Sequence, residues 1–303
     1  MTAFLDDLST MDGRPLTVLI TGAAGKTGCA VIDALRARDS SVRALVRRPE
    51  QAVALASLGV DDIVSGDLLN GEALARAMQG IDRVYHICPN MHPHEVEIGE
   101  QILSAARAAG VRHFVYHSVL HPQTEAMPHH WQKLRVEERL LESGLPFTIL
   151  QPAPYMQNVL AHRRRILEDG IYPVPYSAKT RLALVDLVDV GETAATVLLE
   201  TGHKDAVYEL TGEAGMTQTE VAAVLGHAAG RTVMVEETAV EDWRRQAIAG
   251  GMGRYQVDTL TRMFAYYDAH GLTGNPNVLR WLLGREPTSF ASFARREFSP
   301  ESG

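Results

Sequence analysis

The stretch "LTVLITGAAGKTG", Leu16 to Gly28, constrains this chain more than any other. An apolar run, Leu16–Thr21, ends at Gly22; Gly25 and Gly28 follow at three-residue spacing, and a helical segment continues to about Arg38. A glycine triplet gains meaning from such a setting. Between a strand and a helix, Gly22 permits the tight turn, Gly25 lets a pyrophosphate approach the backbone, and Gly28 lets the helix pack close to the strand. The helix start adds free N–H groups and partial positive charge for phosphates. The plain alternative is a tight strand-to-helix turn that holds no ligand.

The same rhythm repeats. Val42–Val46, Asp62–Gly66, Arg83–Cys88, His113–Ser118 and Phe147–Gln151 read as further strands, with helical segments such as "EVEIGEQILSAARAAG" between most of them. Strands that alternate with helices make βαβ units and a parallel sheet. Both faces of such a sheet are covered, so its strands are continuous apolar runs. The expected fold is therefore α/β, a doubly wound parallel sheet. A loose tail over residues 1–14 precedes a nucleotide-binding domain over 15–152, with strands returning to it from about 181–211. Beyond Pro152 the rhythm changes to "VEDWRRQAIAG", "VDTLTRMFAYYDAHG" and "SFASFARREF", all helical in pattern. Residues 153–303 read as a smaller, mostly helical substrate-binding portion.

The second strand selects the dinucleotide. An NAD site usually ends this strand with an acid that grips the ribose 2′-OH, whereas an NADP site needs positive charge there. Here the strand runs into Arg47 and Arg48, with no acid before Glu50, and Lys26 adds a cation inside the glycine turn. A guanidinium meets a phosphate with a planar fork of donors. NADP is the expected cofactor; otherwise the two arginines are simply solvated. After the third strand, Asp67 either accepts from an adenine amino group or caps its own loop.

Composition limits the alternatives. A net charge of -8 argues against general nucleic-acid binding, which needs a basic face. Two cysteines, Cys29 and Cys88, make no disulfide framework, and a reducing, cytoplasmic setting is expected. The first residues lack the pattern of a signal peptide, and no apolar run approaches the length of a membrane span.

"TGAAGKTG", "ALVRR", "GDL", "HSV", "VEERLLESGLPFTILQP" with "YMQN" beyond it, "VDLVDVGETAA" and "YELTG" together resemble the NmrA-like family of atypical short-chain dehydrogenases/reductases. The resemblance runs from about Leu16 to "REPTSF", and Lys133 to Asn158 is its most specific part. It implies a Rossmann domain that binds NAD(P) and a small C-terminal portion that shapes a substrate pocket. The family includes quinone, isoflavone-type and azo-dye reductases, and also proteins that bind the dinucleotide only to report redox state. By position, the resemblance assigns Gly22, Gly25, Lys26, Thr27 and Gly28 to the phosphates and Arg47 to the 2′-phosphate. Asp67 and Leu68 fall at the adenine. His86, Ile87 and Cys88 line the cofactor, Ser118 lies near the nicotinamide, Lys133 reaches its ribose, and Pro152 and Ala153 flank its ring.

One residue departs from the superfamily's usual chemistry. A tyrosine ordinarily stands four residues before the lysine and protonates the carbonyl oxygen. Here His129 occupies that place before Lys133. Histidine donates protons near neutral pH but reaches less far; Tyr155, just past the sixth strand, is a second candidate. Two readings follow. One is an NADPH-dependent reductase of a small conjugated acceptor (quinone, enone, azo or carbonyl compound), which needs less acid assistance. The other is a dinucleotide-sensing regulator without catalysis, acting through a homodimer or a partner protein. His86, His92, His94, His117, His121, His129 and His130 cluster after two strands, but their spacing gives no zinc motif. They read as pocket wall or loop surface. Cys88 is buried filler or a redox-reactive thiol, Cys29 packs or ionises at its helix start, and Ala249–Gly253 is a flap or a plain turn.

Overall fold

Apolar runs become strands wherever both their faces can be covered. Thr17–Thr21 (β1), Ser41–Val46 (β2), Asp62–Ser65 (β3), Arg83–His86 (β4), His113–His117 (β5) and Phe147–Pro152 (β6) alternate with helices. Those helices are Lys26–Arg36 (α1), Gln51–Ser57 (α2), Gly71–Ala77 (α3), Glu95–Ala108 (α4) and Pro128–Glu142 (α5). The computed structural model describes residues 10–11, 14–60 and 62–299. Most of the tail expected over 1–14 lies outside these; Thr10–Met11 pairs antiparallel with Arg14–Pro15.

The chain continues through Ile171–Val174 (β7), Arg181–Leu184 (β8), Leu187–Leu199 (α6), Ala206–Leu210 (β9) and Glu213–Thr217 (β10). It ends with Gln218–Ala229 (α7), Met234–Glu237 (β11), Val240–Ala249 (α8), Arg254–His270 (α9), Asn277–Leu283 (α10) and Phe290–Phe298 (α11). A seven-stranded sheet has the order β9-β6-β5-β4-β1-β2-β3. This is the doubly wound order, with its reversal between β1 and β4. The pairings β3–β2, β2–β1, β1–β4, β4–β5 and β5–β6 are all parallel. Thr21 lies opposite Leu45, His86 opposite Tyr116 and His117 opposite Leu150, so the strands' carboxyl ends share one edge. Strand β9 runs beside β6, with Asp205 N–H on Phe147 O at 2.6 Å and Ala153 N–H on Leu210 O at 2.9 Å.

Two compact units emerge. One gathers the chain to Gln123, Gln132–Gln151 and Leu187–Tyr208. Its core holds Leu19, Val84, Phe114, Tyr116 and Ile149 with Ile98, Ile102, Val136 and Leu140 of α4 and α5. Each such side chain contributes about 1.5–3 kcal/mol on burial. On α6, a Cβ at Gly191 would stand 2.5 Å from Ala30 O, so α1 and α6 meet backbone to backbone.

The other unit comprises Thr124–Trp131, Pro152–Asp186 and Glu209–Gly303. Its own core is built from Met156, Ile166, Tyr172, Leu225, Phe290 and Phe293. It is less helical than its sequence suggests. β7 pairs parallel with β11, and β8 pairs antiparallel with β10. Strands β7, β10 and β11 escape a periodicity reading because they are short, and their patterns are broken by Pro173, by Gly215 and by the exposed glutamates of "MVEE".

Candidate functional site

The glycine turn is built by contact. Gly22 has φ +62, and a Cβ there would meet Ile87 O at 3.0 Å and Ile87 Cβ at 3.1 Å. A Cβ on Gly28 would fall 2.5 Å from the carbonyl oxygens of both Gly22 and Ala23. Gly25 is the N-cap of α1; its N–H donates to Gly22 O at 3.0 Å, and no side chain caps the helix start. Thr21 locks this turn to the end of β4. Its Oγ1 accepts from Ile87 N–H at 2.9 Å, its hydroxyl donates to Ile87 O at 3.1 Å, and His86 Nδ1 lies 2.8 Å away. Because the hydroxyl proton goes to Ile87, His86 must supply its own Nδ1–H to Thr21. Burial pushes the His86 imidazole down to about 3, so it is neutral. Of the trio expected to line a cofactor, Ile87 presents some surface, whereas His86 and Cys88 are buried.

Three loops converge beside the turn. Arg47 and Arg48 are exposed just past β2, and Lys26 is exposed at the start of α1. Among the described residues Arg47 and Lys26 take part in no ion pair. Asp67 turns its Oδ1 onto Leu69 N–H at 2.9 Å, and Leu68 packs into the core. His92, in the loop after β4, is lowered by burial and then by His94, with smaller effects from Asp67, Glu95 and Arg47. The loops after β2, β3 and β4 therefore lie within electrostatic reach of one another.

Beneath this edge runs a buried polar network whose carboxylates sequence reasoning did not single out. Lys133 and Glu95 form an ion pair at 2.8 Å, their side chains 5% and 1% exposed. Lys133 Nζ also donates to His117 O at 3.0 Å and lies 5.2 Å from the centre of the Tyr116 ring. Ser118 donates its hydroxyl to Glu137, whose two carboxylate oxygens accept from Gln151 Nε2 at 3.0 and 3.1 Å. Burial pushes the Glu137 carboxyl above the usual range, opposed by the Ser118 and Gln151 bonds and by Lys133. The signal lay in α5: His129, Lys133, Val136, Glu137 and Leu140 are all buried, at helical spacing, so polar groups sit in an otherwise apolar stripe. Lys133 and Ser118 are thus in one network, bridged through the β5 terminus and α5.

His129 is buried in the first turn of α5, its ring edge-on to His130 at 6.1 Å. Tyr155 is half-buried, its backbone held in a bridge to Val185. Pro152 and Ala153 are buried at and just past the end of β6. Several clustered histidines serve the interior: His86 bonds Thr21, and His117 Nδ1 lies 2.7 Å from the Tyr85 hydroxyl. Among the described residues no group of three His, Cys, Asp or Glu could hold a metal ion. No described helix is long and apolar enough to cross a membrane. Ala249–Gly253 is a turn joining α8 to α9.

Both thiols are raised, Cys29 by burial and then Asp33, Cys88 strongly by burial and then Glu95. The thiolate is the nucleophile, so burial works against reaction at both cysteines. Native protein is expected to react with a disulfide reagent at pH 8 far more slowly than denatured protein. Rapid native labelling of either cysteine would contradict this.

The sequence pattern of the NmrA-like family matches residues 15–295. The chain belongs to the NmrA-like family. An NAD(P)H azoreductase of Xenophilus azovorans is 29% identical over 280 residues, 92% of this NmrA-like chain and 96% of that protein. Quinone oxidoreductase 2 of Escherichia coli is 29% identical over 284 residues, 93% and 99% of the two chains. The crystal structure of that NADPH-dependent enzyme in complex with NADPH superposes with a TM-score of 0.81, covering 93% of this chain and 100% of that one.

Proposed function

We propose that this chain is an NADPH-dependent reductase of a small conjugated acceptor, a quinone, enone, azo or carbonyl compound. The observation that carries the reading is a turn whose backbone requires glycine at positions 22 and 28, opening an uncapped helix, with the exposed cations Lys26, Arg47 and Arg48 around it. That cradle fits a dinucleotide diphosphate and a further phosphate. The azoreductase and the quinone reductase, matched over nearly their whole lengths, support the same activity.

In this reading Gly22, Gly25, Lys26, Thr27 and Gly28 hold the diphosphate, and Arg47 with Arg48 takes the 2′-phosphate. Asp67 and Leu68 border the adenine, and Ile87, Pro152 and Ala153 border the nicotinamide end. Bound NADPH supplies a hydride. Lys133 keeps a positive charge out of water beside that end, where negative charge develops on the acceptor. Ser118 is fixed by Glu137 and is a polar anchor. A conjugated acceptor is already electron-poor, so the absence of a tyrosine at position 129 is tolerable.

NADPH and NADH are to be titrated against the wild type and Arg47→Ala, and NADPH oxidation followed over quinones, enones, azo dyes and aldehydes. NADPH is expected to bind the wild type at least about tenfold more tightly than NADH. Arg47→Ala should weaken NADPH by about 1.5–3 kcal/mol, the worth of hydrogen bonds to a charged group, and leave NADH nearly unchanged. Equal wild-type affinities would defeat the NADP assignment. Tight NADPH binding with no acceptor turned over would favour the regulator reading, which rests on the missing tyrosine.

A further inference from the structure

Glu95 is the first residue of α4, and its side chain is 1% exposed. A carboxylate so deep in a protein needs compensation. Lys133 provides it at 2.8 Å, and the Tyr116 hydroxyl donates to the same oxygen at 3.3 Å. The N-terminus of α4 adds favourable potential for a negative charge. The pairing is set by helix packing: one turn along α4, a Cβ at Gly99 would stand 2.8 Å from Cγ1 of Val136 on α5. Nothing larger than glycine lets the helices come this close.

An ammonium has three N–H donors. At Lys133 one meets Glu95 and one meets His117 O, and the third is uncommitted among the described residues. A buried ion pair adds little net stability, because desolvation offsets the attraction. What it does provide is a charge that persists out of water and a fixed direction for the remaining donor.

We propose that Glu95 is a positioning residue for reduction: it holds Lys133 in its charged form and reserves the ammonium's third N–H for the bound cofactor and acceptor. This rests on the reductase reading. Lys133 is faced by Glu95 from α4, by His86 from β4, by Cys88 just beyond it, by Tyr116 from β5 and by Glu137 one turn along α5. His86 is neutral, burial keeps Cys88 and Tyr116 protonated, and Glu137 is engaged by Ser118 and Gln151. Glu95 is therefore the partner whose removal exposes the lysine to desolvation.

The test is Glu95→Gln, which keeps the shape and removes the charge. Lys26, Lys133, Lys179 and Lys204 are the chain's four lysines, so 15N-lysine labelling gives a spectrum in which Nζ of Lys133 is assigned by its loss in Lys133→Met. In Glu95→Gln, Lys133 is expected to lose its proton at a lower pH than in the wild type, since burial without a counter-charge favours the neutral amine. The alkaline limb of kcat/KM should move down by the same interval as the lysine's own titration, so that the loss of activity grows with pH above the shifted limb and is largely recovered near pH 6. Should Glu95→Gln fail to fold, Glu95→Asp should show a smaller shift of the same sign. An active wild type whose Lys133 titrates identically in the variant overturns the proposal, as does a lowered lysine with an unmoved pH profile. A wild type that binds NADPH but reduces no acceptor removes the reductase reading and this proposal with it.

Discussion

Lys133→Met is expected to lower kcat about a hundredfold or more on any acceptor the protein reduces. Preorganised positive charge beside a developing negative charge is worth a few kcal/mol in a water-excluded site, and this ammonium is held by Glu95 and His117 O. The substitution also leaves Glu95 buried without its partner. Breaking a buried pair on one side costs about 3–5 kcal/mol, so the single variant should melt well below the wild type. The double variant Glu95→Gln/Lys133→Met separates the two effects. It should recover much of the stability and none of the rate. His129→Ala should lower kcat only modestly, since that ring stands one turn away with a short reach, and Tyr155→Phe reports whether its phenol takes part. If His129→Ala proves as damaging as Lys133→Met, the histidine carries the proton transfer and the ranking is wrong.

Gly28→Ala is expected to damage the fold itself, and Gly25→Ala chiefly the ligand. The added methyl at Gly28 would lie 2.5 Å from two backbone carbonyl oxygens, which cannot move without dismantling the turn between β1 and α1. Overpacking commonly costs 1–3 kcal/mol, and a clash with backbone belongs at the upper end, about 3 kcal/mol or more. At Gly25 the nearest atom is Gly22 O at 3.2 Å, a contact that yields with a small shift. That methyl would stand instead on the surface where a phosphate must approach. Thermal unfolding and NADPH titration of both variants should show opposite patterns: lost stability in the first, lost affinity with near-normal stability in the second. Equal losses of stability would refute the division of labour.

The fold was legible wherever a local pattern carries it. Continuous apolar runs between helical segments, and glycine spacing after Thr21, follow from sterics and burial that act over a few residues. The charge choice at Arg47 is local too. What sequence reading could not supply was the partnership of Lys133. Glu95 and Glu137 sit in the stretches "HPHEVEIGE" and "KLRVEERLL", where nothing in the local pattern marks a carboxylate for burial. Their burial is decided by the approach of α4 and α5 at Gly99 and Val136, a contact between segments far apart in the chain. The short strands β7, β10 and β11 were hidden for a related reason: each is stabilised by its partner strand, not by its own pattern.

The unit that carries the glycine turn is assembled from separated pieces of chain. Helix α6 lies against α1 at Gly191 and Ala30, and β9 completes the sheet beside β6. A nascent chain that has emerged only as far as Pro152 already holds the whole turn and all the strands from β1 to β6. It still has one side of α1 bare and an open sheet edge, a template for wrong pairing. Its missing members arrive only after the chain has made its excursion through Pro152–Asp186. Non-local pairings of this kind slow folding, because a long loop must close before any contact rewards it. An N-terminal fragment is therefore no miniature of the nucleotide-binding unit, and during synthesis the phosphate cradle becomes dependable late, once Tyr208 has left the ribosome.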